Sequence, residues 1–303
     1  MSMTPSPGDI AIELPDGLTI DQLKSFRPYK VDNRSHHLRQ ISELLFGLFQ
    51  TIFLTSTQEW TANLNRSLSL QTKTSHPFHS NPYVLRSVQV QSFDRFGNQR
   101  LGFVKVAASI SNSSGESLPA IALLRGPSVA MLVMLIPDDV PEESKERYVV
   151  LTVQPRVPAG SLAFVELPAG MVDDSGSFKG AAAKEIEEEL GLEIHEDQLV
   201  CLNQLADDAV KDSGKRRGEQ LPAAVFPSAG GCDEYVTIYC YEKRIPRAQL
   251  NDWSGRLTGL RSEGEKITLK VVHMKDLWKE GARDAKCLAA VALWEGLKGE
   301  NLL

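Results

Sequence analysis

Apolar and polar positions change their period several times along this chain, and each change marks an element. Between residues 36 and 54, Leu38, Ile41, Leu44, Leu45 and Leu48 recur at spacings of three and four, which predicts a helix with one apolar stripe. From Val84 to Ile110 the period drops to two. The segments 85–90 and 101–106 alternate on either side of Asp94-Arg95-Phe96-Gly97-Asn98, the pattern of a hairpin. The polar run SNSSGES at 111–117 reads as a loop, and the expected domain boundary falls there. Residues 1–115 would then form an N-terminal arm, helix and hairpin region, and residues 116–303 a second domain. Beyond the loop, apolar runs at 129–135, 148–153, 162–167, 235–241 and 267–272 predict strands. A helix is expected over 178–190, with Ser177 at its N-cap and Gly191 at its stop, and another over 284–297. The charged stretch 206–221 reads as a solvated insertion. Strands alternating with helices predict an α/β layered domain.

Length and charge narrow the possibilities. The 303 residues exceed the roughly 100–200 of one ordinary domain, which agrees with a two-part chain. A net charge of −6 argues against binding duplex nucleic acid, yet it leaves a small anionic substrate open, because a bound divalent cation reverses the local sign. Cys201, Cys232, Cys240 and Cys287 form no CxxC pair, so neither zinc nor a disulfide framework is expected, and reduced thiols suit a cytoplasmic protein. The N-terminus contains acids and lacks a basic stretch followed by an apolar one, so no secretory signal is read there. The longest apolar run, ISELLFGLFQTIFL at 41–54, falls short of the ~20 residues that span a bilayer, and no membrane partner is expected.

Candidate chemistry concentrates in GMVDDSGSFKGAAAKEIEEELGL, residues 170–192. On the expected helix Glu185, Glu188 and Glu189 stand at i, i+3 and i+4 and share one face, while Ala182, Ile186 and Leu190 make the apolar stripe. Three crowded carboxylates repel one another and weaken a bare helix; a hard cation removes that penalty and in turn binds phosphate oxygens. The segment resembles the Nudix box. Gly170, Glu185, Ile186, Glu188, Glu189, Gly191 and Leu192 fall in register with it; Gly176 stands where the box has a Glu, and Lys184 where it has Arg. The resemblance implies that Glu185 and Glu189 are metal ligands, that Glu188 is a further ligand or acts through water, and that the carbonyl of Ala169 completes the set. The implied ion is Mg2+, with Mn2+ as a substitute.

Further segments resemble the ADP-sugar pyrophosphatase branch of that family. Glu166-Leu167-Pro168-Ala169-Gly170 is similar to its E-x-P-A-G lead-in and follows Gln154-Pro155-Arg156, similar to its Q-x-R. Phe226–Glu234 (FPSAGGCDE) is similar to its S-P-G loop followed by an acid, with Ala229 in place of Pro. Gly259–Glu265 (GLRSEGE) is similar to the loop that carries its catalytic carboxylate. The likeness implies that Arg156, Glu166, Gly230 and Glu234 bind substrate. It also implies that Glu265 contacts metal or water, with Glu263 its rival as general base.

The implied fold is an α/β/α Nudix sandwich with a mixed sheet, preceded by a β-hairpin and helical region through which two copies dimerise. The implied reaction is metal-dependent hydrolysis of an ADP-sugar to AMP and a sugar phosphate. Another nucleoside diphosphate derivative, or a module that binds such ligands without turnover, is the alternative. Trp60, Phe93, Phe96 and Phe103 could serve the base site or the core, and both readings stay open.

Overall fold

The computed structural model describes residues 11–25, 59–96, 100–141, 143–172, 194–212, 218–219, 221–259 and 266–303. The expected helices at 36–54 and 178–190 lie outside them. The described residues form two compact units. The first runs to Gly126 and takes in Ser228–Glu234; the second runs from Pro127 and holds most of the rest of the chain.

In the first unit, strand β1 (Ala11–Glu13) and helices α1 (Ile20–Ser25) and α2 (Glu59–Ser69) precede strands β2 (Val84–Phe96), β3 (Arg100–Ser111) and β4 (Ile121–Leu124). They make a four-stranded sheet in the order β1-β2-β3-β4. The expected hairpin is present, with register from Val84 opposite Ser111 to Phe96 opposite Arg100. A shift between Leu85 and Ser87 explains why the buried positions step from Leu85 to Val88 and Val90. One extra residue resets which side chains face inward. Val104, Val106 and Leu124 complete the core, and Trp60, Leu64 and Leu68, each one turn apart on α2, pack against it. The buried carboxamide of Gln71 fastens α2 to β2 by accepting from the Tyr83 N–H at 2.7 Å and donating to the Tyr83 carbonyl at 2.9 Å.

In the second unit the chain runs through β5 (Ser128–Pro137), β6 (Tyr148–Arg156), β7 (Ser161–Glu166), β8 (Ala169–Met171) and β9 (Val200–Cys201). Helix α3 (Leu202–Asp212) follows, then β10 (Val236–Ile245), α4 (Gln249–Trp253), β11 (Leu257–Thr258), β12 (Ile267–His273), α5 (Leu277–Glu280) and α6 (Ala285–Gly299). The mixed sheet has the order β11-β12-β6-β5-β10-β9, with β7 paired to β6 and β8 to β5. Strand β10 lies parallel to β5 over ten residues.

Every residue of β5 is buried, which is why its sequence is a continuous apolar run. Its alternate side chains still serve different faces. Val129, Met131, Val133 and Leu135 join Leu250 and Trp253 of α4 on one side. Ala130, Leu132 and Met134 join Leu202 of α3 and Cys287, Ala290 and Leu297 of α6 on the other. A sheet with helices on both faces is the layered α/β architecture expected.

The stretch 206–221 departs from its expectation. Its first seven residues continue α3, because Leu202, Leu205 and Ala206 pack onto the sheet and pull the following turns into helix. Asp207, Asp208 and Lys211 pair along the outer face of that helix, so the charge run hides an amphipathic element.

Strands β5 and β6 pair only at Met134–Val149 and Leu135–Tyr148 and then part. The chain from β7 to β8 fills the opening, with β7 on β6 and β8 on β5. That opening positions the site.

Candidate functional site

The turn between β7 and β8 is Glu166-Leu167-Pro168-Ala169. Leu167 is fully buried in the α6 side of the core and anchors it. The Met131 N–H donates to the Pro168 carbonyl at 3.0 Å, and the Val172 N–H to the Pro127 carbonyl at 3.2 Å. In an antiparallel ladder, bonded and non-bonded pairs alternate. The pair Ala130–Ala169 between these two is therefore non-bonded. The Ala169 carbonyl consequently points away from β5, out of the ladder. An amide oxygen turned out of its ladder is of the donor type a hard divalent cation takes.

Four charged side chains brace the turn. Glu166, 3% exposed, accepts from the Arg156 Nε at 2.6 Å through one oxygen and from the Lys286 Nζ at 2.6 Å through the other. Lys286 also reaches Asp284 at 3.1 Å. Asp284 caps α6 by accepting from the Lys286 N–H at 3.2 Å, and its second oxygen accepts from the Leu167 N–H at 2.9 Å. Burial pushes the Asp284 carboxyl above its ordinary value, opposed by the Lys286 ammonium and the Leu167 N–H. Two cations balance two anions, so the buried set carries no net charge. The Arg156 side chain keeps 40% of its surface exposed, and its bond to Glu166 runs through Nε alone, leaving the two terminal nitrogens without a partner among the described residues.

Lys286 and Asp284 escaped the sequence reading. Asp before a helical run is an N-cap signal that marks Asp284. Nothing local marks Lys286, whose partner lies 120 residues earlier.

Of the loop that resembles the S-P-G segment, Ser228–Glu234 belongs to the first unit. Its Gly231 and Cys232 N–H groups both donate to the Ser228 carbonyl, at 3.0 and 2.9 Å, and Gly230 is exposed at the turn. Asp233 accepts from the backbone N–H groups of Arg125 at 2.7 Å and Gly126 at 3.2 Å, and Glu234 pairs with the Arg125 guanidinium at 3.1 Å. Trp60 and Phe93 pack against the first unit's core, and Phe96 meets Phe103 edge-on at 4.9 Å.

Of the residues singled out in the sequence, Arg156, Glu166 and Ala169 therefore come together at one turn of the second unit, whereas Gly230 and Glu234 are held in the first. Glu185, Glu188, Glu189, Glu263 and Glu265, with Gly176 and Lys184, lie outside the described residues. Among the described residues no cluster of three His, Cys, Asp or Glu side chains is arranged to hold a metal ion. None of the described helices is long and apolar enough to cross a membrane.

Comparison with known proteins gives the family of the chain. The NUDIX domain profile matches residues 130–291, from the second unit's central strand into α6. Nudix hydrolase 14, chloroplastic, of Arabidopsis thaliana is 38% identical over 221 residues, 72% of this chain. The chain spans 65% of that relative's length, just under two thirds. A solved structure of an ADP compounds hydrolase is similar at 19% identity and a TM-score of 0.45, covering 73% of this chain and 97% of that one. With the profile spanning more than half of its residues across the strands and turn just described, the chain belongs to the Nudix family.

Proposed function

We propose that this protein hydrolyses the pyrophosphate of an ADP-sugar, giving AMP and a sugar phosphate, with Mg2+ as its cofactor and Mn2+ as a substitute. The observation that carries the reading is the Ala169 carbonyl turned out of the ladder, in a turn whose Glu166 holds an Arg156 with its two terminal nitrogens unpartnered among the described residues. One offers a hard oxygen to a cation and the other two N–H donors to a phosphate or sugar hydroxyl. Glu185 and Glu189 complete the ligand set with Ala169, and Glu188 joins directly or through water. The bound ion would neutralise the diphosphate and stabilise the leaving oxygen.

The chain's own groups carry the remaining steps. Arg156 orients the diphosphate or the terminal sugar. Glu265, or Glu263 beside it, takes a proton from the water that attacks phosphorus, and the P–O bond of the bridging oxygen breaks as the new one forms. Gly230 and Glu234 contribute to substrate binding. The N-terminal region to residue 115 pairs two copies into a homodimer, and residues 116–303 carry the catalysis. The protein works in a reducing compartment, the cytoplasm, where its four free cysteines stay as thiols.

A panel of nucleotide-sugars and dinucleotides, incubated with the full chain and Mg2+ and read by mass, tests the proposal. AMP and sugar phosphate from ADP-ribose or ADP-glucose would support it. Thermal stabilisation by those nucleotides with no product from any of them would replace the hydrolase by a binding module.

A further inference from the structure

We infer that Lys286 and Asp284, at the start of the last helix, are positioning residues for the metal and phosphate site, and that Glu166 is the brace through which they act. The inference rests on the hydrolase reading for its purpose, and on the geometry of the turn for its substance. Glu166 is nearly fully buried, and each of its oxygens already receives a cationic donor at 2.6 Å. A carboxylate so occupied has little capacity left for a metal ion or a ligand. What it does is fix two things at once. Through Oε1 it sets the direction of Arg156, whose terminal nitrogens have no partner among the described residues. Through Oε2 it ties β7 to Lys286.

Asp284 adds the second tether. Its Oδ2 accepts from the Leu167 N–H and its Oδ1 from both the amide and the ammonium of Lys286. The first turn of α6 thus grips two consecutive residues, Glu166 and Leu167, immediately before the Pro168-Ala169 step whose carbonyl leaves the ladder. Side-chain exposures of 4%, 6% and 13% for Glu166, Asp284 and Lys286 put these bonds in a low-dielectric setting, where each is stronger and an unpaired member is costly. A carbonyl ligand has no side-chain freedom to correct its aim, so its direction depends on the backbone on either side of it. A device that locks that backbone acts as an outer shell to a metal ligand, a place where substitutions typically cost about 10–100-fold in metal affinity or activity.

The test uses the full chain and Mn2+ alone, with bound metal counted by electron paramagnetic resonance, so that it needs no turnover. Lys286→Met keeps the length of the stem and removes the charge. The expected result is Mn2+ binding weakened at least about tenfold in folded protein, with most of the affinity restored in Lys286→Arg, which can still bridge both carboxylates. Asp284→Asn, which keeps an acceptor for the cap, should weaken Mn2+ binding in the same direction and decides the matter if Lys286→Met does not fold. Variants that melt earlier but bind Mn2+ like the parent would reduce the cluster to a plain structural brace and overturn the inference. So would a parent chain with no measurable Mn2+ affinity. The nucleotide-sugar panel on the parent separates the two proposals. No turnover with Lys286-sensitive Mn2+ binding would sink the hydrolase and keep the brace, and turnover with insensitive binding would do the reverse.

Discussion

The carboxamide oxygen of Asn203 lies 2.7 Å from the backbone nitrogen of Ile238, and both residues are buried. Strand β9 is two residues long and pairs with β10 only at Tyr239 and Cys240. The chain then turns into α3, and the Asn203 side chain supplies the acceptor that a longer β9 would have offered to the Ile238 N–H. Asn203→Ala should strand that N–H without a partner and cost about 1–3 kcal/mol of stability. A urea titration followed by circular dichroism measures the loss. A midpoint equal to the parent's would mean that water or a shifted backbone takes the place of the carboxamide.

Arg156 joins Glu166 through Nε, and its two terminal nitrogens have no partner among the described residues. Lysine at this position keeps the charge but cannot bond Glu166 and present two parallel donors at once. Arg156→Lys is expected to raise KM for the nucleotide-sugar about tenfold and to change kcat less, the signature of lost ground-state binding. Steady-state kinetics over a range of substrate concentrations separates the two constants, and an unchanged KM would remove Arg156 from the substrate site.

Replacement of Glu189 by Gln tests the metal site itself. The proposed role as a direct ligand predicts a fall in kcat of about 100-fold with little change in Tm. Normal turnover in that variant would exclude the proposed ligand set, and activity that survives exhaustive chelation of divalent ions would exclude metal dependence altogether.

Acid stability has a defined origin at the far end of β6. Arg247 bonds Glu146 at 2.6 and 3.1 Å and Asp139 at 2.8 and 3.0 Å. The hydrogen bond from Arg247, and a second from Tyr148, hold the Glu146 carboxyl down at about 2 from its ordinary 4.5. A folded-state value below the unfolded one means a contribution fully present above about pH 4.5 and lost progressively as pH falls toward 2. Asp139 is exposed and Glu146 partly so, and solvent screens the effect. The Tm of the parent should therefore fall more steeply than that of Arg247→Gln between pH 5 and about 2.5. Parallel curves would assign the acid sensitivity to other carboxylates.

Much of the fold was legible because local period records which faces are buried. The apolar run of β5 announced a strand, which the structure covers on both sides, and the alternation of β2 and β3 announced a hairpin. Where charge and burial share one helix the record misleads. Asp207, Asp208 and Lys211 made α3 read as a solvated insertion, although Leu202, Leu205 and Ala206 commit it to the sheet.

By itself the sequence determined the kinds of element, the apolar faces they had to cover, and the spacing of acids and glycines that resembles a Nudix box. Only the tertiary structure decided which distant segments meet. It laid β10 beside β5 in parallel and opened β5 from β6 so that the β7–β8 turn could enter. It also placed Asp284 and Lys286 on Leu167 and Glu166, 117 and 120 residues earlier in the chain. The reason is physical. A residue's period depends on its own neighbours and is written locally, whereas a buried charge selects its partner only after chain closure has removed the water that competes for it.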